Sequence, residues 1–189
     1  MAYIKAAEAP PPGNPVWGYA HYRLAFVYWN QGAMARALAE LVQVIDFAAK
    51  FPSLPSAERL GAMARKDLVP VYALSGDPAK AFDFFKMLSG DPGGETGRAL
   101  IMSLALGQSY LDTGHYKECV VLDLDLLPRA AGEPSCVLLA RIDQAVLRAT
   151  KVETAALSGT LVRSKQLLEK ARKGCPGQAA AVSVDGRLK

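Results

Sequence analysis

The chain has 189 residues, of which 51% are hydrophobic, 21% charged and 8% aromatic, and its formal net charge is +4. That composition excludes wholesale disorder, and the length allows one domain or one short array with a real core. The charge is uneven: residues 161–189 hold seven basic residues against Glu169 and Asp185, a net +5, so the remaining 160 residues sum to −1.

A nucleic-acid groove needs positive charge spread over a folded face with aromatics between the charges. Here the excess sits on the last helix and tail, which read as a solvated basic end, and no nucleic-acid partner is expected. No uncharged apolar run reaches the ~18–20 residues of a spanning helix, and none near Met1 is long enough for a secretory signal. The chain as written therefore reads as soluble and cytoplasmic, and a piece cut from a longer exported protein would read the same. Cys119, Cys136 and Cys175 cannot all pair within one chain, and none of their spacings matches a zinc knuckle or a Cys-x-x-Cys motif. A Cys119–Cys136 bridge would require an oxidising compartment such as the periplasm.

Residues 1–17 carry Pro10, Pro11, Pro12 and Pro15 and are expected to form an extended leader with little helix before Val16. A first helix then runs to about Gln31 and a second from about Met34 to Lys50. The Phe51–Pro55 linker cannot propagate helix through its two prolines. Ser56 is the expected cap of a third helix with Glu58 in its first turn, and Pro70 is expected to kink it near Lys66–Pro70. Gly76 ends that helix, Asp77 caps the next and Pro78 takes its first position. The fourth helix reaches Gly90, followed by a turn over Asp91–Gly94. Glu95 or Thr96 opens a fifth helix that stops before Gly114, and a sixth spans about His115–Leu127, with Pro128 at its exit. A seventh is expected over Ser135–Thr150 and a last one over Glu153–Lys173, with residues 174–189 a disordered tail.

One spacing recurs. Leu24, Tyr28, Gly32, Ala37 and Leu41 are matched by Leu68, Tyr72, Gly76, Ala81 and Phe85, and again by Leu106, Tyr110, Gly114 and Cys119. Leu to Tyr is four residues, Tyr to Gly four, and Gly to the small residue five in each copy. Leucine and tyrosine share a helix face, and the glycine supplies the backbone freedom of a short helix–helix turn. In the third copy Asp123 stands where the others have Leu41 and Phe85, so Val121 and Leu122 are the expected packing residues. This pattern resembles the tetratricopeptide repeat (TPR), whose units are helical hairpins. The resemblance covers residues 18–128, with repeats at about 18–51, 56–90 and 96–128 and a degenerate fourth at 135–173. It implies an all-α, right-handed superhelical solenoid of about four antiparallel hairpins. The segments Ala62–Leu68, Gly76–Phe85 and Gly107–Tyr116 are also similar to envelope TPR proteins of bacterial gliding-motility machinery, which implies a scaffold in a multiprotein complex.

Residues suited to chemistry are few. His115, Cys119 and Asp123 fall at i, i+4 and i+8 on one helix face, where a nucleophile with its base or a metal site could be built. The competing reading makes Cys119 a small core residue at the repeat's packing position. The glycines at 90–94 lack the lysine and preceding strand of a phosphate loop. Asp123 and Asp125, two apart on a helix, point to different faces. No enzyme, cofactor or metal is implied.

The TPR resemblance does imply a partner. Its groove is lined by the first helix of each hairpin, which places Tyr19, Tyr22, Arg23, Phe26, Trp29 and Asn30 there. Met63, Lys66, Asp67, Pro70 and Leu74 follow from the second unit, and Ile101, Leu104, Gln108, Leu111 and Asp112 from the third. Aromatics with an arginine are good anchors for a docked peptide or helix. Read instead as core, the same rings would pack against the leader or a fourth helix. The clamp by which some TPR co-chaperones hold a C-terminal carboxylate is absent, since its positions hold Tyr22, Phe26, Asp67, Ile101 and Ala105. The expected function is a non-catalytic scaffold that binds a protein or peptide. The alternative is a homo-oligomer joined through the last hairpin, by Val137, Leu138, Val146, Leu147, Leu157 and Leu161.

Overall fold

In the computed structural model, which describes residues 2–8, 11, 13–90 and 97–175, every regular element is helical. By internal contacts the chain divides into two compact units, Met1–Gly76 with Asp83–Met102, and Asp77–Phe82 with Ser103–Lys189.

The first unit contains α1 (Ala2–Glu8), α2 (Trp17–Asn30), α3 (Met34–Lys50) and α4 (Ala57–Ser75), together with most of α5 (Ala81–Leu88) and the first residues of α6 (Arg98–Asp112). Its core holds Leu24, Ala25, Ala37, Leu41, Val44, Leu68, Tyr72 and Phe85, all buried. Tyr28 is half-buried beneath Arg36, whose guanidinium carbon lies 5.7 Å from the ring centroid. Tyr72 stacks obliquely on Phe84 and Phe85 with centroids 4.9 and 5.2 Å away.

The four-residue step from Tyr28 to Gly32 has a backbone cause. Gly32 adopts φ +73°, its N–H bonds to the Trp29 carbonyl, and the Ala33 N–H reaches the Tyr28 carbonyl at 2.9 Å. That pair of bonds is the Schellman ending, with glycine at the left-handed position and the repeat tyrosine four residues earlier as acceptor. Gly76 differs: its φ is −88°, an ordinary value, but a Cβ there would sit 2.2 Å from the Tyr72 ring. In the second copy glycine is required by space rather than by a left-handed backbone.

The second unit comprises the rest of α6, α7 (Tyr116–Leu126), α8 (Glu133–Arg148), α9 (Lys151–Arg163) and α10 (Lys165–Lys173), with single 3-10 turns at Pro78–Lys80 and Leu127–Arg129. Gly114 repeats the ending of α2: its φ is +81°, and the His115 N–H bonds to the Tyr110 carbonyl at 2.8 Å. Leu106, Tyr110, Leu122, Leu126, Leu138, Leu139, Ile142, Leu157 and Leu161 form its core.

Several expectations need correction. The leader is not extended throughout: Ala2–Glu8 is helical, because its alanines favour helix and the proline run begins only after it. Ser56 does not cap α4 through its side chain and sits instead at φ 65°, turning the chain out of the linker. Asp77 does cap, accepting from the Ala79 N–H at 3.0 Å, but the turn it starts is 3-10 before α5 begins. α4, as expected, runs as one helix with Pro70 inside it. The last helix is two, broken at Ser164, whose φ −89° and ψ 2° leave the helical range. Capping of the fifth helix by Glu95 or Thr96, the Asp91–Gly94 turn and the tail beyond Cys175 lie outside the described residues.

Candidate partner-docking face

The two stripes assigned to the first unit run side by side. Tyr22 is buried, and its hydroxyl donates to Asp67 Oδ2 at 2.5 Å, tying α2 to α4. Burial, then the carboxylate beside it, pushes the Tyr22 hydroxyl up to about 12. Tyr22 is therefore an interhelix tie and not a free anchor, which corrects its expected groove role. From it an aromatic row leads outward, Tyr22 edge-on to Phe26 at 5.2 Å and Phe26 stacked on Trp29 at 5.8 Å. Phe26 and Trp29 remain half-exposed, and Tyr19, Arg23 and Asn30 are exposed.

Arg23 stands between two tyrosines, 5.8 Å from the Tyr3 centroid and 6.0 Å from that of Tyr19. The hydrogen bond to Tyr3, with the fields of Tyr19 and Tyr3, raises its affinity for the proton. On α4, Met63 and Lys66 are exposed, Pro70 is half-buried, and Leu74 is 55% exposed. Ile101, 64% exposed, belongs to the same unit.

Leu104, Gln108, Leu111 and Asp112 lie in the second unit. Leu111 is buried and so is core. Leu104 is half-buried, while Gln108 and Asp112 are exposed and joined to each other, Nε2 to Oδ1 at 2.8 Å.

The His115–Cys119–Asp123 face is not assembled as nucleophile and base. His115 is exposed at the start of α7, its ring against Tyr110 at 6.1 Å. Cys119 is buried with its thiol directed at the Gly107 carbonyl (3.5 Å) and Asp123 Oδ2 (3.8 Å). Burial, reinforced by the Asp123 charge, pushes that thiol up to about 12, the opposite of what a nucleophilic cysteine needs. Asp123 is fully buried and takes Arg141 of α8, Nε to Oδ2 at 2.7 Å and Nη2 to Oδ1 at 2.6 Å. Burial pushes the Asp123 carboxyl up while Arg141 pulls it back down. Among the described residues no three His, Cys, Asp or Glu side chains converge on a metal position.

Three features went unforeseen. Arg141 carries no local signal in the sequence, although an acid at a core position calls for a cation and Arg141 lies among the buried Leu138, Leu139, Ile142 and Ala145. His21 is buried with Nδ1 2.5 Å from Glu40 Oε2 and its ring 3.9 Å from that of Trp17. The disulfide joins Cys136 to Cys175, not to Cys119, and Cys119 is a free buried thiol. Cys119 faces the core from α7, whereas Cys136 sits in the first turn of α8 next to the end of α10.

No protein-family model matches this chain, and no curated protein or solved structure matches it. No helix among the described residues is long and apolar enough to cross a membrane.

Proposed function

We propose that the chain is a non-catalytic protein-interaction scaffold, a TPR-like array of about four hairpins that docks a partner's peptide or helix on the outward face of its first helices. The observation that carries this is the row Tyr19, Phe26 and Trp29 with Met63 and Leu74, apolar side chains left wholly or partly open to solvent beside Arg23. Aromatic rings with arginine are the side chains that dominate binding energies at protein interfaces. The resemblance to gliding-motility scaffolds extends the proposal to a bacterial envelope complex. The Cys136–Cys175 bridge favours the periplasmic side of that reading, since such bonds persist in oxidising compartments.

Self-association through the last hairpin has less to stand on. Leu138, Val146, Leu157 and Leu161 are buried within the chain, which leaves only Val137 and Leu147 exposed among the six residues it needs.

A crosslinking pull-down from native lysate tests the docking reading, with the chain beside a Tyr19→Ala/Phe26→Ala variant. Tyr22 is left intact because its hydroxyl holds α4. Recovery of envelope or motility components by the parent, lost in a variant of unchanged helicity and melting, supports the reading. Identical recovery by both baits would sink it.

A further inference from the structure

We infer that the partner segment received by the α2/α4 face is acidic: an apolar segment flanked by carboxylates. This rests on the docking reading and specifies its ligand. The basis is the charge left on that face. α2 contains no acidic residue at all, and α4 contains only Glu58 and Asp67. Glu58 sits in a separate cleft of about 420 Å³ beside Arg65, whose charge it supports. Asp67 is half-buried and accepts the Tyr22 hydroxyl.

The cations of the face, by contrast, meet no carboxylate among the described residues. Arg23 on α2 and Arg59 and Lys66 on α4 are exposed. Arg59, Met63, Lys66, Pro70 and Leu74 follow spacings of three or four and so share one stripe. Arg23 stands exposed between the rings of Tyr3 and Tyr19. The face thus presents rings and aliphatic carbons bordered by three unneutralised cations and one occupied carboxylate. A basic segment would meet like charge along both helices. An acidic one gains charge-assisted hydrogen bonds at Arg23, Arg59 and Lys66 while its apolar side chains cover Phe26, Trp29 and Met63.

The test is selection of 16-residue peptides from a random displayed library on the full chain. Phosphatidylglycerol vesicles are assayed in parallel by co-sedimentation, because an anionic bilayer offers the same charge. The expected result is recovery of peptides rich in Asp and Glu between aromatic or aliphatic residues. Their affinity should fall at least about tenfold in Arg23→Glu/Lys66→Glu, a fold-helicity control being unchanged, and should weaken with added salt. Neutral or basic peptides that lose binding in Phe26→Ala/Trp29→Ala would overturn the acidic specificity and leave the docking face standing. Recovery of no peptide, or of peptides indifferent to both variants, would overturn the docking reading itself. Vesicle sedimentation dependent on Arg23 and Lys66, without peptide recovery, would assign the face to a membrane and overturn the inference.

Discussion

Arg141 forks onto Asp123 with both guanidinium edges engaged, Nε and Nη2 on the two carboxylate oxygens and Nη1 on the Leu104 carbonyl at 2.6 Å. Asp123 occupies the place that leucine and phenylalanine hold in the first two copies of the repeat, and it is as completely buried as they are. The fork also explains a glycine, because a Cβ at Gly107 would lie 2.3 Å from Arg141 Nη2. The polar pair thus replaces an apolar contact, and the helix opposite gives up its side chain to make room.

Removing one partner strands the other charge in the core. Asp123→Asn or Arg141→Met alone should cost about 3–5 kcal/mol in urea unfolding. Asp123→Leu with Arg141→Met restores an apolar contact and should recover most of that loss. If the double variant is as unstable as the sum of the singles, the two residues do not act as a pair.

The three repeat glycines should respond to alanine by two routes. At Gly32 and Gly114 the left-handed backbone is the obstacle, and each Gly→Ala change should cost about 1–2 kcal/mol. Asn tolerates that conformation, so Gly32→Asn and Gly114→Asn should be milder than alanine. At Gly76 the obstacle is the Tyr72 ring, so Asn should be worse than Ala there. Chemical denaturation of the six variants reads this directly, and the same order at all three sites would refute the distinction.

The helical hairpins were legible because their signals are local. The Tyr–Gly step encodes a helix ending within five residues, and the Leu–Tyr step encodes a buried face. Met34–Lys50 emerged at its expected limits for that reason. What stayed illegible depends on which distant residues meet. Nothing near Asp123 points to Arg141, nothing near Cys136 points to Cys175, and Tyr22 reads as a groove anchor until Asp67 is placed beside it. The same spacing arguments could not detect Ser164, where a helix-compatible sequence is interrupted without glycine or proline.

The Tyr22–Asp67 tie gives the first unit an alkaline limit. With its folded value raised from 10.0 to about 12, the Tyr22 hydroxyl keeps its proton in the folded chain where the unfolded chain loses it. Its contribution to stability is fully present below the unfolded value and is lost as pH rises from 10.0 towards about 12. Absorbance titration at alkaline pH should show a late-ionising tyrosine that Tyr22→Phe removes. In Asp67→Asn that tyrosine should titrate earlier but not normally, because burial is the larger cause and remains. A lag of unchanged size in Asp67→Asn would remove the carboxylate from the explanation.

The cysteines can be separated by counting thiols. Cys136 and Cys175 are bonded to each other and Cys119 is buried with a suppressed ionisation, so the folded oxidised chain should show no thiol that reacts with an aromatic disulfide reagent. Mild reduction should expose two, and a third should react only at the rate at which the second unit unfolds. The bridge spans 39 residues and anchors the end of α10, which is otherwise held by Leu168 and by Arg172 on Asp143 at 2.6 Å. Chain-entropy reasoning for a loop of that size gives roughly 4 kcal/mol, so Cys136→Ser/Cys175→Ser should melt well below the oxidised chain. Within the variant, Arg172→Ala should loosen α10 further, since the ion pair is then its chief polar tie. A third thiol that reacts as fast as the other two in the folded, reduced chain would show that Cys119 is not enclosed by α6, α7 and Arg141.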